Sequence, residues 1–291
     1  MATEAPPSNH YHAAAWHTPI QSIGPIVAEA RRTYRSNRTR PAAYRMSQLR
    51  GIERLVRDNA ASLSRAILDD LGQSRMYAEA FELEVVASRC RHALANLARW
   101  TSTRRVRTPW PMCLGMPPFA RSEVKAEPRG VVAILTPWNV PVLLALGGLI
   151  DALSAGNVCV LKMSEKSART TRLLTDLLSC GEYIDPDVVR VVNGGPTASS
   201  ELLRHRFDAI SYTGGAEVGR IVAMAAARHL TPTLLELGGK NPVFVTRNAN
   251  VGSAATRIAW GKITGNAGQM CICPDYVSFS SRSAGRSGVG G

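Results

Sequence analysis

From Pro41 to about Asp70 the apolar residues fall at helical spacing: Leu49, Ile52, Leu55, Val56, Leu63 and Ile67, running on to Leu71. One apolar stripe on an otherwise polar segment predicts an amphipathic helix, and Gly72 is a natural stop. A second helical stretch is predicted from about Tyr77 to Trp100. Thr101 to Pro118 is rich in Arg and Pro and reads as a connection. Arg121 to Glu127 alternates, with Val124 and Ala126 on one side, as an extended arm would. After Gly130 short apolar runs alternate with helical ones. Strands are predicted at Val131–Leu135, Val158–Leu161, Val188–Val192, Ala209–Tyr212, Leu234–Leu237 and Val243–Val245. Helices are predicted between the first five, at Val142–Ala155, Ser167–Cys180, Ala198–His205 and Glu217–His229. Strand and helix at this tempo make βαβ units and a mostly parallel sheet, an α/β Rossmann-like fold with flanking helices. Ligands of such sheets bind beyond the carboxyl ends of the strands.

This pattern divides the chain into segments. Residues 1–18 read as a loose leader, and 19–113 as a helical part that belongs with the sheet. Residues 114–130 form the extended arm and 131–236 the Rossmann-like sheet domain. Residues 237–277 begin a further domain. Residues 278–291 are a Ser/Gly/Arg stretch without a packing pattern, which reads as a flexible tail. The apolar stretch Val131–Ile150 is about as long as a membrane span. Pro137, Asn139 and Pro141 break it into strand, turn and helix, so a buried parallel strand is the better reading.

Composition changes this picture little. The chain has 291 residues, 45% apolar and 20% charged, and a net charge of +13. The excess is mostly arginine, much of it before Arg107. A nucleic-acid-binding protein is one reading of that excess. The arginines are spread rather than massed, however, and Arg50, Arg54 and Arg57 recur at helical spacing. A solvated basic face is therefore favoured over a nucleic-acid partner. Six cysteines occur without CxxC or metal-ligand spacing, so no metal is expected. With no signal-peptide pattern at Met1–His10, the cysteine usage suits a reducing cytoplasm.

Several residues could carry chemistry, each with a plainer alternative. Cys271 lies between Gly268 and Pro274 in a tight loop; taken alone it reads as an inert thiol before it reads as a nucleophile. Glu236, a carboxylate inside the apolar run Leu234–Leu237, is expected to be buried. It is then either a general base with a raised pKa or half of an ion pair. Asn139 ends the first strand and could donate to an oxyanion or cap a helix. Lys162 and Glu165 close the second strand and could grip a ribose or stand at a helix N-terminus. Thr213-Gly214-Gly215, followed by Val218, could admit a phosphate or simply turn the chain.

The segments TPWNVP (136–141), SAGNVCVLKMSE (154–165), SYTGGAEVG (211–219), LELGGKNP (235–242) and GQMCICP (268–274) together resemble the aldehyde dehydrogenase superfamily. Order and spacing agree from roughly Arg40 to Val277. Residues 228–232 are similar to the coniferyl- and fatty-aldehyde branch. The resemblance implies NAD(P)-dependent oxidation of an aldehyde to its acid, with Cys271 as nucleophile, Asn139 as oxyanion donor and Glu236 as base. It implies oligomerisation for the arm at 114–130 and NAD(P) binding for the sheet domain at 131–236, with contacts to NAD from Trp138, Lys162, Glu165, Thr213, Gly214, Gly215, Val218 and Gly238. Glu165 would repel a 2′-phosphate, which favours NAD and leaves NADP open. Met163 and Gly215 stand where the family often has proline and serine. The family continues for well over a hundred residues past its nucleophile, so a C-terminally truncated chain is expected. Such a chain need not assemble into the family's homo-oligomer, and could be an inactive fragment that still binds dinucleotide.

Overall fold

Helix α1 (Ile20–Arg35) buries Ile23, Val27 and Ala30 and leaves its arginines outward. The predicted long helix at 41–70 is two, α2 (Ala42–Asp58) and α3 (Ala60–Leu71), broken at Asn59 with φ −111°. The helical period survives the break because both pieces bury their stripe in one core. Gly72 ends α3 at φ +70°, a conformation that costs any L side chain. A single turn, α4 (Arg75–Tyr77), runs through a π-helical segment, Ala78–Leu83, into α5 (Glu84–Thr101). The structure, a computed structural model, describes residues 16–110 and 120–280. The leader and the tail are thus met only at 16–18 and 278–280. There Thr18 is tied down, its N–H donating to the Asn193 carbonyl at 3.0 Å and its hydroxyl accepting from the Asn193 N–H at 2.9 Å.

The Arg/Pro connection holds a short strand, β1 (Arg104–Val106), which pairs antiparallel with β2 (Ser122–Val124) in the predicted arm. The central sheet follows: β3 (Val131–Leu135), α6 (Pro141–Ser154), β4 (Val158–Lys162), α7 (Ala168–Ser179), β5 (Val189–Val191), α8 (Pro196–Leu202), β6 (Ala209–Gly214), α9 (Ala216–Ala227) and β7 (Thr233–Leu237). Its order is β5-β4-β3-β6-β7, and every pairing is parallel. Every residue of β3 and β4 is buried, as apolar strands covered on both faces must be. From β3 the chain moves outward to β4 and β5, then crosses back to place β6 on the other side of β3. That reversal opens a crevice at the carboxyl ends of β3, β4 and β6.

A second, two-stranded parallel sheet pairs β8 (Asn241–Val245) with β9 (Pro274–Phe279), joined through α10 (Val251–Thr264). Neither α10 nor β9 is legible in the sequence. None of the residues of α10 is buried; its apolar positions line an open groove beside β9 instead of a core. β9 runs through Ser278 and Phe279 into the stretch read as tail, because pairing with β8 supplies what its composition does not. Among the described residues, no helix is long and apolar enough to cross a membrane. Several of the scattered arginines are ion-paired, among them Arg31 to Asp208, Arg38 to Asp185 and Arg40 to Glu127, each at 2.8 Å. Such pairs fit a solvated face and contribute little stability individually.

Candidate active site

Two adjoining cavities open at the carboxyl ends of the strands. The first, about 350 Å³, has walls from the ends of β3, β4 and β6 and the start of α9; it takes in Trp138, Lys162, Glu165, Thr213–Gly215 and Val218. The second, about 320 Å³, holds Asn139, Glu236, Gly238 and Cys271. They share Pro137, Trp138, Thr213, Gly214 and Gly215 as a common wall. The structure therefore brings every candidate residue into one of two connected spaces.

The chemistry of the first cavity follows from the strand ends. Lys162, last in β4, is 4% exposed, and its Nζ donates to the Met163 carbonyl at 2.7 Å. Burial pulls the ammonium below its usual pKa, while Glu165, 3.6 Å away, partly restores it. A buried cation beside a partly exposed carboxylate offers a donor and an acceptor to a diol. Tyr212 fixes the loop after β6 by donating its hydroxyl to the Gly215 carbonyl at 3.0 Å. A Cβ on Gly215 would meet nothing within 4 Å, so the wall is open above the N-terminus of α9, where backbone N–H groups favour an anion. This donor set fits a dinucleotide. Pro196 and Ser199 of α8 line the same cavity. Their signal was the Asn193-Gly194-Gly195 turn, which reads only as a strand end.

In the second cavity Cys271 is exposed, while Cys273 is 3% exposed and donates its thiol to the Gly265 carbonyl at 3.1 Å. The Asn139 Nδ2 donates to the Gln269 carbonyl at 2.7 Å, and its Oδ1 is buried with no partner. Asn241 holds the other side of the loop, its Nδ2 donating to the carbonyls of Cys271 at 2.7 Å and Cys273 at 2.9 Å. Between these anchors Asn266, Ala267 and Gly268 have φ of +49°, +52° and +85°. A left-handed non-glycine residue costs on the order of 1–3 kcal/mol unless its surroundings enforce it. Among the described residues lining this cavity there is no histidine, and Lys240 is a cation in its wall.

Glu236 departs from expectation. It lies in β7 opposite Thr213 in register, but β7 is the edge of the sheet and Glu236 is exposed. The apolar run around it does not imply burial, since Leu234 is itself 62% exposed. Glu82 is instead the carboxylate that is buried. It is 0% exposed, accepts from the Val142 and Leu143 N–H groups at 2.8 and 3.1 Å, and so caps α6 immediately after Asn139. Burial raises its pKa to about 7 against those two bonds, which lower it. Sequence reasoning passed over Glu82, because the π-helical turn that carries it inward leaves no periodic mark.

The model of the aldehyde dehydrogenase family matches residues 5–283. The chain belongs to the aldehyde dehydrogenase family. It is 42% identical over 250 residues to aldehyde dehydrogenase family 3 member B1 of Bos taurus, covering 86% of this chain and 52% of that relative. A substrate-bound structure of Staphylococcus aureus AldH superposes with a TM-score of 0.83 at 32% identity, covering 89% of this chain and 55% of that one. The crystal structure of PnpE in complex with nicotinamide adenine dinucleotide gives 0.80 at 26% identity, covering 93% and 54%. The chain thus spans about half the length of the relatives it matches. The superfamily and the α/β fold expected from the motifs are both borne out.

Proposed function

We propose that this chain carries the aldehyde-oxidising chemistry of its family, with Cys271 as nucleophile, Asn139 as oxyanion donor, Glu236 as base and NAD as cofactor. What carries the reading is the meeting of Asn139, Glu236 and Cys271 in one cavity that shares a wall with a dinucleotide-fitting one. Lys162 and Glu165 would take the hydroxyls of the adenosine ribose. The Thr213–Gly215 loop, with Val218 behind it, would take the phosphates, and Trp138 and Gly238 would border the reactive end. Glu165 disfavours a 2′-phosphate by charge, which supports NAD over NADP.

The Cys271 thiolate adds to the aldehyde carbon, forming a C–S bond and an alkoxide. The Asn139 Nδ2–H and the Cys271 backbone N–H stabilise that oxyanion. When bound, the oxidised nicotinamide supplies the acceptor for the hydride lost on going to the thioester. Glu236 then takes a proton from water, whose oxygen displaces the Cys271 thiolate and releases the carboxylic acid. Exposure on an edge strand lets Glu236 reach both water and the cavity. The five described cysteines are free thiols, which supports a cytoplasmic setting.

Purified chain mixed with NAD and a panel of aldehydes should produce the near-ultraviolet absorbance of reduced cofactor. Cys271→Ser should abolish it while leaving NAD binding intact. Absence of turnover from wild-type chain that binds NAD would overturn the assignment of chemistry.

A further inference from the structure

We infer that Asn266 is a positioning residue that locks the oxyanion donor to the nucleophile loop; this rests on the reading of Asn139 and Cys271 given above. Asn266 is wholly buried, five residues before Cys271, and opens the three-residue left-handed run. Asparagine adopts such a φ more readily than most residues, but Ala267 does not, so the run must be held from outside.

The hold is a closed set of amide bonds. The Asn266 Nδ2 donates to the Asn139 carbonyl at 2.6 Å. The Asn139 Nδ2 donates back to the loop at the Gln269 carbonyl. The Gln269 Nε2 donates to the Asn266 carbonyl at 3.1 Å, closing the ring. The Gln73 Nε2, from the turn that follows α3, donates to the Asn266 Oδ1. Tyr77 reaches the same loop, its hydroxyl 3.5 Å from the Met270 Sδ.

The consequence concerns a single proton. One N–H of the Asn139 amide is spent on Gln269, and Oδ1 makes no bond. The direction of the second N–H is therefore set by the nucleophile loop rather than by the turn between β3 and α6 that carries Asn139. Asn266 grips Asn139 by its main chain and, through Gln269, by its side chain. It thereby fixes the spacing between the two groups that flank a developing oxyanion, without touching substrate. The helical layer reports into this spacing through Gln73.

The test is a double-mutant cycle on the full chain. Asn266→Gly keeps the backbone conformation and removes the side chain; Asn266→Asp keeps shape and acceptor and removes the donor. Each should lower kcat by about 10- to 100-fold, less than the 10²–10³ of losing an oxyanion donor outright. The KM for NAD should stay within about two-fold, because the Lys162 cavity is untouched. In an Asn139→Ala background, Asn266→Gly should cost less than about three-fold, since the group it positions is gone. Wild-type kcat in both Asn266 variants, or an undiminished loss in the Asn139→Ala background, would overturn the inference. If the wild-type chain turns over no aldehyde, the functional reading fails and hydrogen exchange decides this one. Asn266→Gly should raise exchange about ten-fold at 137–140 and 269–271 together, with β3 and β4 unchanged, as local opening of that clamp requires. Unchanged exchange at 137–140 would refute the clamp.

Discussion

The carboxyl group of Glu82 holds its proton to about pH 7 because it is buried, while in the unfolded chain it titrates near its ordinary 4.5. The folded chain therefore binds the extra proton between those values, so Glu82 makes stability fall as pH rises across that window, with no further change above it. The shift corresponds to on the order of 3 kcal/mol. In Glu82→Gln, denaturant melts at pH 4.5 and pH 7.5 should differ from the wild-type pair by about that amount. An identical pH dependence in the two proteins would show that Glu82 is not titrating as its burial requires. Lys162 is the comparable cation, only 4% exposed. Lys162→Ala should weaken NAD binding by about ten-fold or more, about 1.4 kcal/mol or above, as read by fluorescence quenching, with little change in the melting temperature. An affinity equal to wild type would remove Lys162 from the cofactor contacts.

At the level of elements, the Cys271 loop is a strained turn pinned from three sides, by Asn139, Asn241 and Gln73. Asn241 begins β8 and so couples the loop to the second sheet. Asn241→Ala should leave the carbonyls of Cys271 and Cys273 without that donor, at a cost of about 1–2 kcal/mol. Peptide-resolved alkylation should then show faster capping of Cys273, which is buried in wild type; an unchanged rate would mean that β9 alone holds the loop. The end of α3 offers a cleaner case. A Cβ on Gly72 would meet nothing within 4 Å, so only its φ of +70° resists substitution. Gly72→Ala should cost about 1 kcal/mol, seen as a lower midpoint in urea; a stability equal to wild type would mean that the turn relaxes.

Across the whole molecule, apolar surface is unevenly covered. Ile221 and Met224 of α9 and Leu234 of the edge strand are 52%, 64% and 62% exposed. A further apolar groove of about 690 Å³ lies along α10 and β9. Patches of this kind drive association, so sedimentation velocity should show mass increasing with concentration, and Met224→Lys with Leu234→Lys should reduce it. A monomer at all concentrations would refute this. The same uneven cover separates what is legible in the sequence from what is not. By itself the sequence determined the parallel sheet, its helices and the motifs that carry the family resemblance, because strand and helix periods and glycine turns are local signals. Tertiary structure alone decided which side chains are buried and which meet. Glu236 is exposed because β7 lies at the sheet edge, and Glu82 is enclosed because a π-helical turn carries it under α6. Asn266 reaches Asn139 across more than a hundred residues of chain, through hydrogen bonds that leave no periodic trace.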